Sequence, residues 1–351
     1  MITDQEVEEY NALAVSLFKK YETYRGNNKE PFENVIFGAA ALISNLGVIP
    51  IGDDKKKMID ITSKLNASNM SAITTVICDF RLGQLNKDIK PHVFHARLNE
   101  NKKGKIIQTA NEWAHRKSNG LIHDLLTDSD FENLGKILIK TKSKFKGDWK
   151  RPFEIWNNSP DSQKMLEFNG NKIRFMKSSD SDVSLSDFEV NTLIVKIPYL
   201  SKEGSMIIYM PKYNAEREDF IKFLKKLEVT GEFNKFLKSF GQYIKADVEM
   251  PEFSIDCDTV DLTHFLEKAI EKIFYSEIFE NKIDFDKVYH RIKSSIRCTP
   301  YGTESESTVW AWYTDGVRRT PLFKINKPFL FFVVDGSNCI VDAGMFVNRS
   351  K

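Results

Sequence analysis

From residue 136 the chain changes period. The run Lys136-Ile137-Leu138-Ile139-Lys140-Thr141-Lys142-Ser143-Lys144-Phe145-Lys146 alternates strictly after Ile139, which sets four lysines on one face. A two-residue period fixes an extended strand. Residues 193–198, 205–211, 247–255, 288–299, 322–334 and 339–347 are further strands by the same reasoning. They are rich in Ile, Val, Phe and Tyr, and turn residues punctuate them. The first third reads differently. Residues 7–21 place Leu13, Leu17 and Phe18 at helical spacing, and 110–123 predict a helix ending at Gly120, with Asn111 and Trp113 near its start. Residues 37–51 suit a buried helix, and 215–237 and 262–273 return to helical spacing. Helices early and strands mostly late predict an α+β chain with large mixed sheets.

A chain of 351 residues can bury a large core. No repeat, Pro/Gly linker or low-complexity tract divides it. Its 51 basic and 49 acidic residues leave a net charge of +2. No global field therefore marks a nucleic-acid partner. Lys55-Lys56-Lys57 follows Asp53-Asp54 and reads as a solvated face. No stretch has the roughly 20 apolar residues a membrane span needs. The polar start Met1-Ile2-Thr3-Asp4-Gln5-Glu6 shows no signal peptide. Four widely spaced cysteines (Cys78, Cys257, Cys298, Cys339) make neither a disulfide framework nor a zinc site. Asn66, Asn69, Asn157 and Asn348 each begin an N-x-S/T sequon.

Catalytic motifs are missing: there is no G-x-S-x-G, no P-loop and no H-E-x-x-H. His92 and His95 are three apart but have no acidic or cysteine partner nearby in sequence, so they read as surface or packing residues. No cofactor or metal is expected, and the chain reads as a non-enzyme. Lysines 222, 225, 226, 235 and 238 could meet a polyanion such as heparin. Their interleaved glutamates make a solvated helix face the better reading.

The last fifty residues hold the functional signal. Gly302-Thr303-Glu304-Ser305-Glu306-Ser307-Thr308 leads through a Trp- and Arg-bearing segment to Asn326-Lys327-Pro328-Phe329-Leu330-Phe331-Phe332. It reads as an exposed loop with latent strand character, anchored by a buried strand. Counted by twos from Thr303, one parity carries Thr303, Ser305, Ser307, Val309, Ala311 and Tyr313. All but Tyr313 are small. The other parity carries Glu304, Glu306, Thr308, Trp310 and Trp312.

In order and spacing, several segments resemble the serpin family. Asn111-x-Trp113 with Gly120-Leu121-Ile122-His123-Asp124-Leu125-Leu126 looks like its helix-to-strand passage. Phe145-Lys146-Gly147-x-Trp149-x-x-Pro152-Phe153 is similar to the third strand of its main sheet and the exit from it. Ile197-Pro198-Tyr199 and Ser205-Met206-Ile207-Ile208-Tyr209-Met210-Pro211 look like its paired central strands. Met250-Pro251-Glu252-Phe253-Ser254-Ile255 matches its Pro-Lys-Phe segment, and Asn326-Lys327-Pro328-Phe329 with Ile340-Val341-x-x-Gly344 matches its C-terminal strands.

The resemblance implies a single domain over 1–351, with about nine helices around three β-sheets and a reactive loop at about 302–322. It implies an irreversible, suicide-substrate inhibitor of a serine protease, acting by cleavage of the loop. The cut loop would insert as a new strand of the main sheet, a β-strand addition from within the chain. Cleavage would release a kinetically trapped state. The implied hinge is Pro300, Tyr301, Gly302, Thr303, Glu304 and Ser305, and the implied insertion face is the small parity from Thr303 to Tyr313. The two residues before the hinge glycine are usually acidic in the family. Here they are Pro300 and Tyr301, and Pro300 has no N–H for a sheet ladder. The family's polar cluster beneath the main sheet falls at Gly38, Ala41, Thr141 and Ile292, three of which have lost polarity.

Two counts place the bait bond. Forward from Gly302 it lies near Gly316-Val317; back from Asn326 it lies at Val317-Arg318. Arg318 and Arg319 suit a trypsin-like protease, whose pocket carboxylate pairs with a basic side chain. Val317 suits an elastase-like one. The expected protein is a monomer, extracellular by preference with cytoplasmic as the alternative. Its rival function is that of a non-inhibitory serpin, a carrier, chaperone or storage protein.

Overall fold

The structure, a computed structural model, describes residues 3–47, 70–79, 84–85, 93–98, 102–131, 137–154, 165–200, 204–256, 260–261, 265–266, 291–292, 295–303 and 320–348. The chain divides into two compact units. One comprises Met1–Glu6, Gly38–Phe145 and Asp258–Lys293; the other comprises Val7–Phe37, Lys146–Cys257 and Ser294–Lys351.

In chain order the elements begin with α1 (Asp4–Asn27), β1 (Val35–Phe37), α2 (Ala39–Gly47), β2 (Met70–Asp79), β3 (Val93–Leu98) and α3 (Lys103–Lys117). Next come β4 (Ile137–Phe145), β5 (Gly147–Asp148), β6 (Met165–Phe168), β7 (Asn171–Leu185), β8 (Thr192–Pro198) and β9 (Ser205–Pro211). Helices α4 (Arg217–Leu227) and α5 (Glu232–Lys238) precede β10 (Ile244–Pro251), β11 (Phe253–Asp256), β12 (Val260–Asp261) and β13 (Arg291–Ile292). The chain closes with β14 (Ser295–Cys298), β15 (Gly302–Thr303), β16 (Leu322–Lys324), β17 (Phe329–Val334) and β18 (Ile340–Phe346). The fold is α+β, with five α-helices among the described residues.

In the second unit, the strands run β1-β18-β17-β9-β8-β7-β10-β16 in one sheet, with β6 paired to β7. Strands β17 and β9 are buried at every residue. That is why they read as continuous apolar runs instead of alternating. Helix α1 is tied to this sheet by polar contacts. The Tyr10 hydroxyl donates to the Ile340 carbonyl (2.8 Å), and Asn11 accepts from the Ile340 N–H (2.9 Å). Gly344 is a close-approach position. A Cβ there would stand 2.4 Å from the Phe331 ring and 2.6 Å from the Val35 carbonyl oxygen. A second sheet in the same unit runs β11-β14-β15-β5.

In the first unit, β3-β2-β4 form a three-stranded sheet, with β2 parallel to β3 and antiparallel to β4. Alternation separates its faces. Ile73 and Ile77 of β2 pack with Ile106, Ala110 and Ala114 of α3 and with Ile122, Leu125 and Leu126 beyond it. Thr74 and Thr141, cross-strand neighbours, point the other way, toward α2.

Several predicted elements are divided. Residues 247–255 become the end of β10 and the start of β11, which belong to different sheets. Pro251 ends β10 because it has no N–H with which to continue a ladder. Residues 322–334 split likewise. β16 lies parallel to β10, and β17 starts after Pro328. Residues 215–237 form α4 and α5 instead of one helix. Gly231, with φ of 86°, supplies the left-handed turn between them. Of 288–299, Arg291–Ile292 pairs with β12 and Ser295–Cys298 pairs with β11 and β15. Helix α3 starts seven residues before position 110 and ends at Lys117, and Gly120 (φ 86°) lies in the turn beyond. Most of 262–273 lies outside the described residues.

Candidate functional site

The residues ahead of position 304 form a tight hairpin. The Thr299 N–H donates to the Gly302 carbonyl (2.9 Å), and Cys298 pairs with Thr303. Thr299-Pro300-Tyr301-Gly302 thus makes a four-residue turn, with Pro at its second position and Gly at its fourth, as turn chemistry favours. The Thr299 hydroxyl donates to the Gly302 carbonyl (3.0 Å) and accepts from the Tyr301 N–H (3.3 Å). Pro300 therefore stands at a corner, where its missing N–H deprives no ladder.

The turn is held by residues 149–153. Three of its four carbonyls accept from them. Thr299 accepts from the Trp149 indole N–H (2.9 Å), Pro300 from the Phe153 N–H (2.7 Å) and Tyr301 from the Trp149 N–H (2.9 Å). After the turn, β15 lies between β14 and β5. Gly302 pairs with Asp148, and Thr303 with Gly147. The approach is close: a Cβ on Gly302 would be 2.3 Å from the Gly147 carbonyl oxygen and 2.8 Å from the Asp148 Cα.

Thr303 turns its side chain into the protein, at 2% exposure. Its hydroxyl lies 2.8 Å from the hydroxyl of Tyr199. Burial pushes the Tyr199 phenol well above its ordinary value, so it stays neutral and can donate. Tyr199 stacks on Trp149 with centroids 4.8 Å apart. Trp149 also meets Phe153 edge-on at 5.6 Å. Cys298, beside this cluster in sequence, is buried, and burial pushes its thiol far up, which leaves it unreactive.

Of the hinge residues, Pro300, Tyr301, Gly302 and Thr303 are brought together here. Glu304 and Ser305 lie outside the described residues. So do Ser307, Val309, Ala311 and Tyr313 of the insertion face, and the bait-bond candidates Gly316, Val317, Arg318 and Arg319.

The positions of the expected polar cluster lie in the first unit. Ala41 is buried, and the Gly38 carbonyl accepts the Leu42 N–H (3.0 Å) at the start of α2. Thr141 is not surrounded by apolar groups alone. Its hydroxyl lies 2.8 Å from that of Thr74 and accepts from the Asn45 amide at 3.2 Å. Sequence reasoning missed Thr74 and Asn45. The signal for Thr74 lay in the strand period, since it is the cross-strand partner of Thr141. Ile292 pairs with Val260 through its backbone.

Two lysines on the face of β4 are engaged. Lys140 pairs with Asp130 (2.8 Å) and Lys142 with Asp124 (2.5 Å), both from the segment after α3. On the helices, Lys226 lies 4.1 Å over the Phe188 ring and Lys235 pairs with Glu232. Among the described residues no group of three or more His, Cys, Asp or Glu could hold a metal ion, and no helix is long and apolar enough to cross a membrane. Asn348 is the one sequon asparagine within the described residues. Its amide nitrogen is buried, which makes it a poor glycan acceptor in the folded chain.

Comparison with known proteins agrees with this architecture. Serpin B6 of Macaca fascicularis is 25% identical over 248 residues, which are 67% of this chain and 64% of that protein. Leukocyte elastase inhibitor of Homo sapiens is 24% identical over 250 residues, 66% of this chain and 63% of that protein. The chain thus spans less than two thirds of these relatives. Among solved structures, cleaved Serpin 42Da superposes with a TM-score of 0.72 at 15% identity, covering 99% of this chain and 98% of that one. A thyroxine-binding globulin complex with thyroxine superposes with a TM-score of 0.70 at 15% identity, covering 98% and 99%. The family model described as serpin (serine protease inhibitor) matches residues 83–349, well over half of the sequence. The chain belongs to the serpin family.

Proposed function

We propose that this chain is an irreversible, suicide-substrate inhibitor of a serine protease, acting as one serpin domain outside the cell. The protease serine acylates a bait bond in the 302–322 loop. The freed loop then adds to the main sheet and distorts the enzyme before deacylation. The chain supplies a substrate and a stored conformational change, and no catalytic group.

The observation that carries this reading is the pairing of Gly302 and Thr303 between β14 and β5, with Thr303 buried. The first two residues of the implied insertion already occupy strand positions, small side chain inward. Continuing that register by sequence would set Glu304 opposite Lys146 and Glu306 opposite Lys144 in the inserted state. Cross-strand opposite charges contribute roughly 0.2–1 kcal/mol each. Arg318 and Arg319 favour a trypsin-like target; Val317 favours an elastase-like one.

The second reading is a non-inhibitory serpin, with a carrier, chaperone or storage role. The Thr299, Pro300 and Tyr301 carbonyls, all bonded to residues 149–153, favour it, because they hold the turn in place.

Incubation with trypsin, denaturing electrophoresis and N-terminal sequencing of the released peptide separate the two. A denaturant-resistant complex with trypsin is expected, and the first residue of the peptide fixes the bait bond. Cleavage without a complex, and without a rise in the melting temperature of the cut chain, would support the non-inhibitory reading.

A further inference from the structure

His115 and His123 lie ring against ring on the surface of the first unit, with centroids 4.7 Å apart and planes inclined by 33°. Both residues are exposed. Neither ring has a hydrogen-bond partner among the described residues.

The backbone beneath both rings is fixed. His115 sits in the last turn of α3, and its Cε1 would lie 3.4 Å from a Cβ on Gly120, so the ring covers that glycine. The Gly120 N–H donates to the His115 carbonyl (2.8 Å), closing the turn. His123 follows Ile122, which is fully buried and whose N–H donates to the Ser118 hydroxyl (2.9 Å). Downstream, the Asn111 side chain holds both the N–H and the carbonyl of Leu126 (2.8 and 2.9 Å).

We propose that His115 and His123 form a two-imidazole binding site for a divalent late-transition-metal ion, with Cu2+ held more tightly than Zn2+. An imidazole nitrogen about 2.0–2.1 Å from such an ion puts its ring centroid about 3.2 Å away. Two ligands about 90° apart at the metal then have centroids about 4.5 Å apart, and tetrahedral ones about 5.2 Å. The observed centroid separation of 4.7 Å falls between these, and the two exposed rings would rotate from their 33° inclination to turn a nitrogen of each onto the ion. Imidazole suits Cu2+ and Zn2+, and Cu2+ leads in affinity at nitrogen sites. Among the described residues no third protein ligand converges on the pair, so water completes the coordination. The ion would tie the end of α3 to the segment after it.

The test is calorimetric titration of the full chain with CuCl2 and with ZnCl2, alongside Cu2+ electron paramagnetic resonance. One ion should bind per chain, with nitrogen coupling from two imidazoles. His115→Gln and His123→Gln should each weaken binding at least about tenfold, and His95→Gln should not. Each variant should melt like the parent without metal, because both rings are exposed. Binding that survives both substitutions, coupling from a single nitrogen, or no binding at millimolar metal overturns the site.

Discussion

The hydroxyls of Tyr199 and Thr303 lie 2.8 Å apart, with both side chains almost fully buried. A buried hydroxyl deprived of its partner costs about 1–3 kcal/mol, whereas removing both partners together can be nearly neutral. Tyr199→Phe should therefore destabilise the chain by about 1–2 kcal/mol. Adding Thr303→Val to it should recover most of that loss. Denaturant melts of the four proteins measure the coupling, and strictly additive losses would show that the two hydroxyls do not interact.

Gly302 is required by space, since a Cβ would stand 2.3 Å from the Gly147 carbonyl oxygen. The neighbour is backbone and cannot swing away. Gly302→Ala should cost about 1–3 kcal/mol through this overlap. Amide hydrogen exchange should locate the damage at residues 147–149 and 299–303. An unchanged melting curve would mean that the two strands separate without penalty.

Thr303→Arg puts a long cation at a position that is 2% exposed. A buried unpaired charge costs several kcal/mol. In the proposed mechanism the first strand residue then fails to insert, and the inhibitor becomes an ordinary substrate. Electrophoresis after incubation with trypsin should show a cut chain and no stable complex. A complex as abundant as the parent's would refute the role of Thr303.

Asp182 receives Lys150 (2.9 Å) and Lys245 (3.0 Å), and the Lys150 hydrogen bond holds its carboxyl below the ordinary range despite partial burial. A depressed carboxyl contributes fully above its unfolded value of about 3.9 and loses that contribution as pH falls through the lower folded value. Asp182→Asn should lower stability at neutral pH by about 0.5–1 kcal/mol. Melting temperatures of the two proteins should converge in strong acid. A gap that stays constant with pH would rule out the ion pairs as its source.

Sequence period alone exposed much of this fold. The alternation at 140–146 separated the lysine face of β4 from Thr141, and the apolar runs at 329–334 and 205–211 became buried strands of one sheet. The divisions at Pro251, Pro328 and Gly231 were carried by single residues inside otherwise continuous patterns, and a windowed period averages over them. The hinge motif was legible as residue types. Its turn was not, because Pro300 by itself reads as a defect in a strand, whereas Thr299 and Gly302 make it a corner. The polar contacts of Thr141 were hidden for another reason. Thr74 and Asn45 come from distant segments, and only the register of β2 on β4 brings Thr74 to it.

The hairpin at 299–303 also bears on rate. Starting a strand is the slow part of adding one, since chain entropy is lost before much is gained in return. Here the first pair of residues is already zipped against Gly147 and Asp148. In the proposed mechanism, insertion is then a matter of propagation instead of nucleation. Its speed would be governed by the side chains beyond Thr303, so the tempo of inhibition could be retuned from residue 304 onward with the turn at 299–303 left untouched.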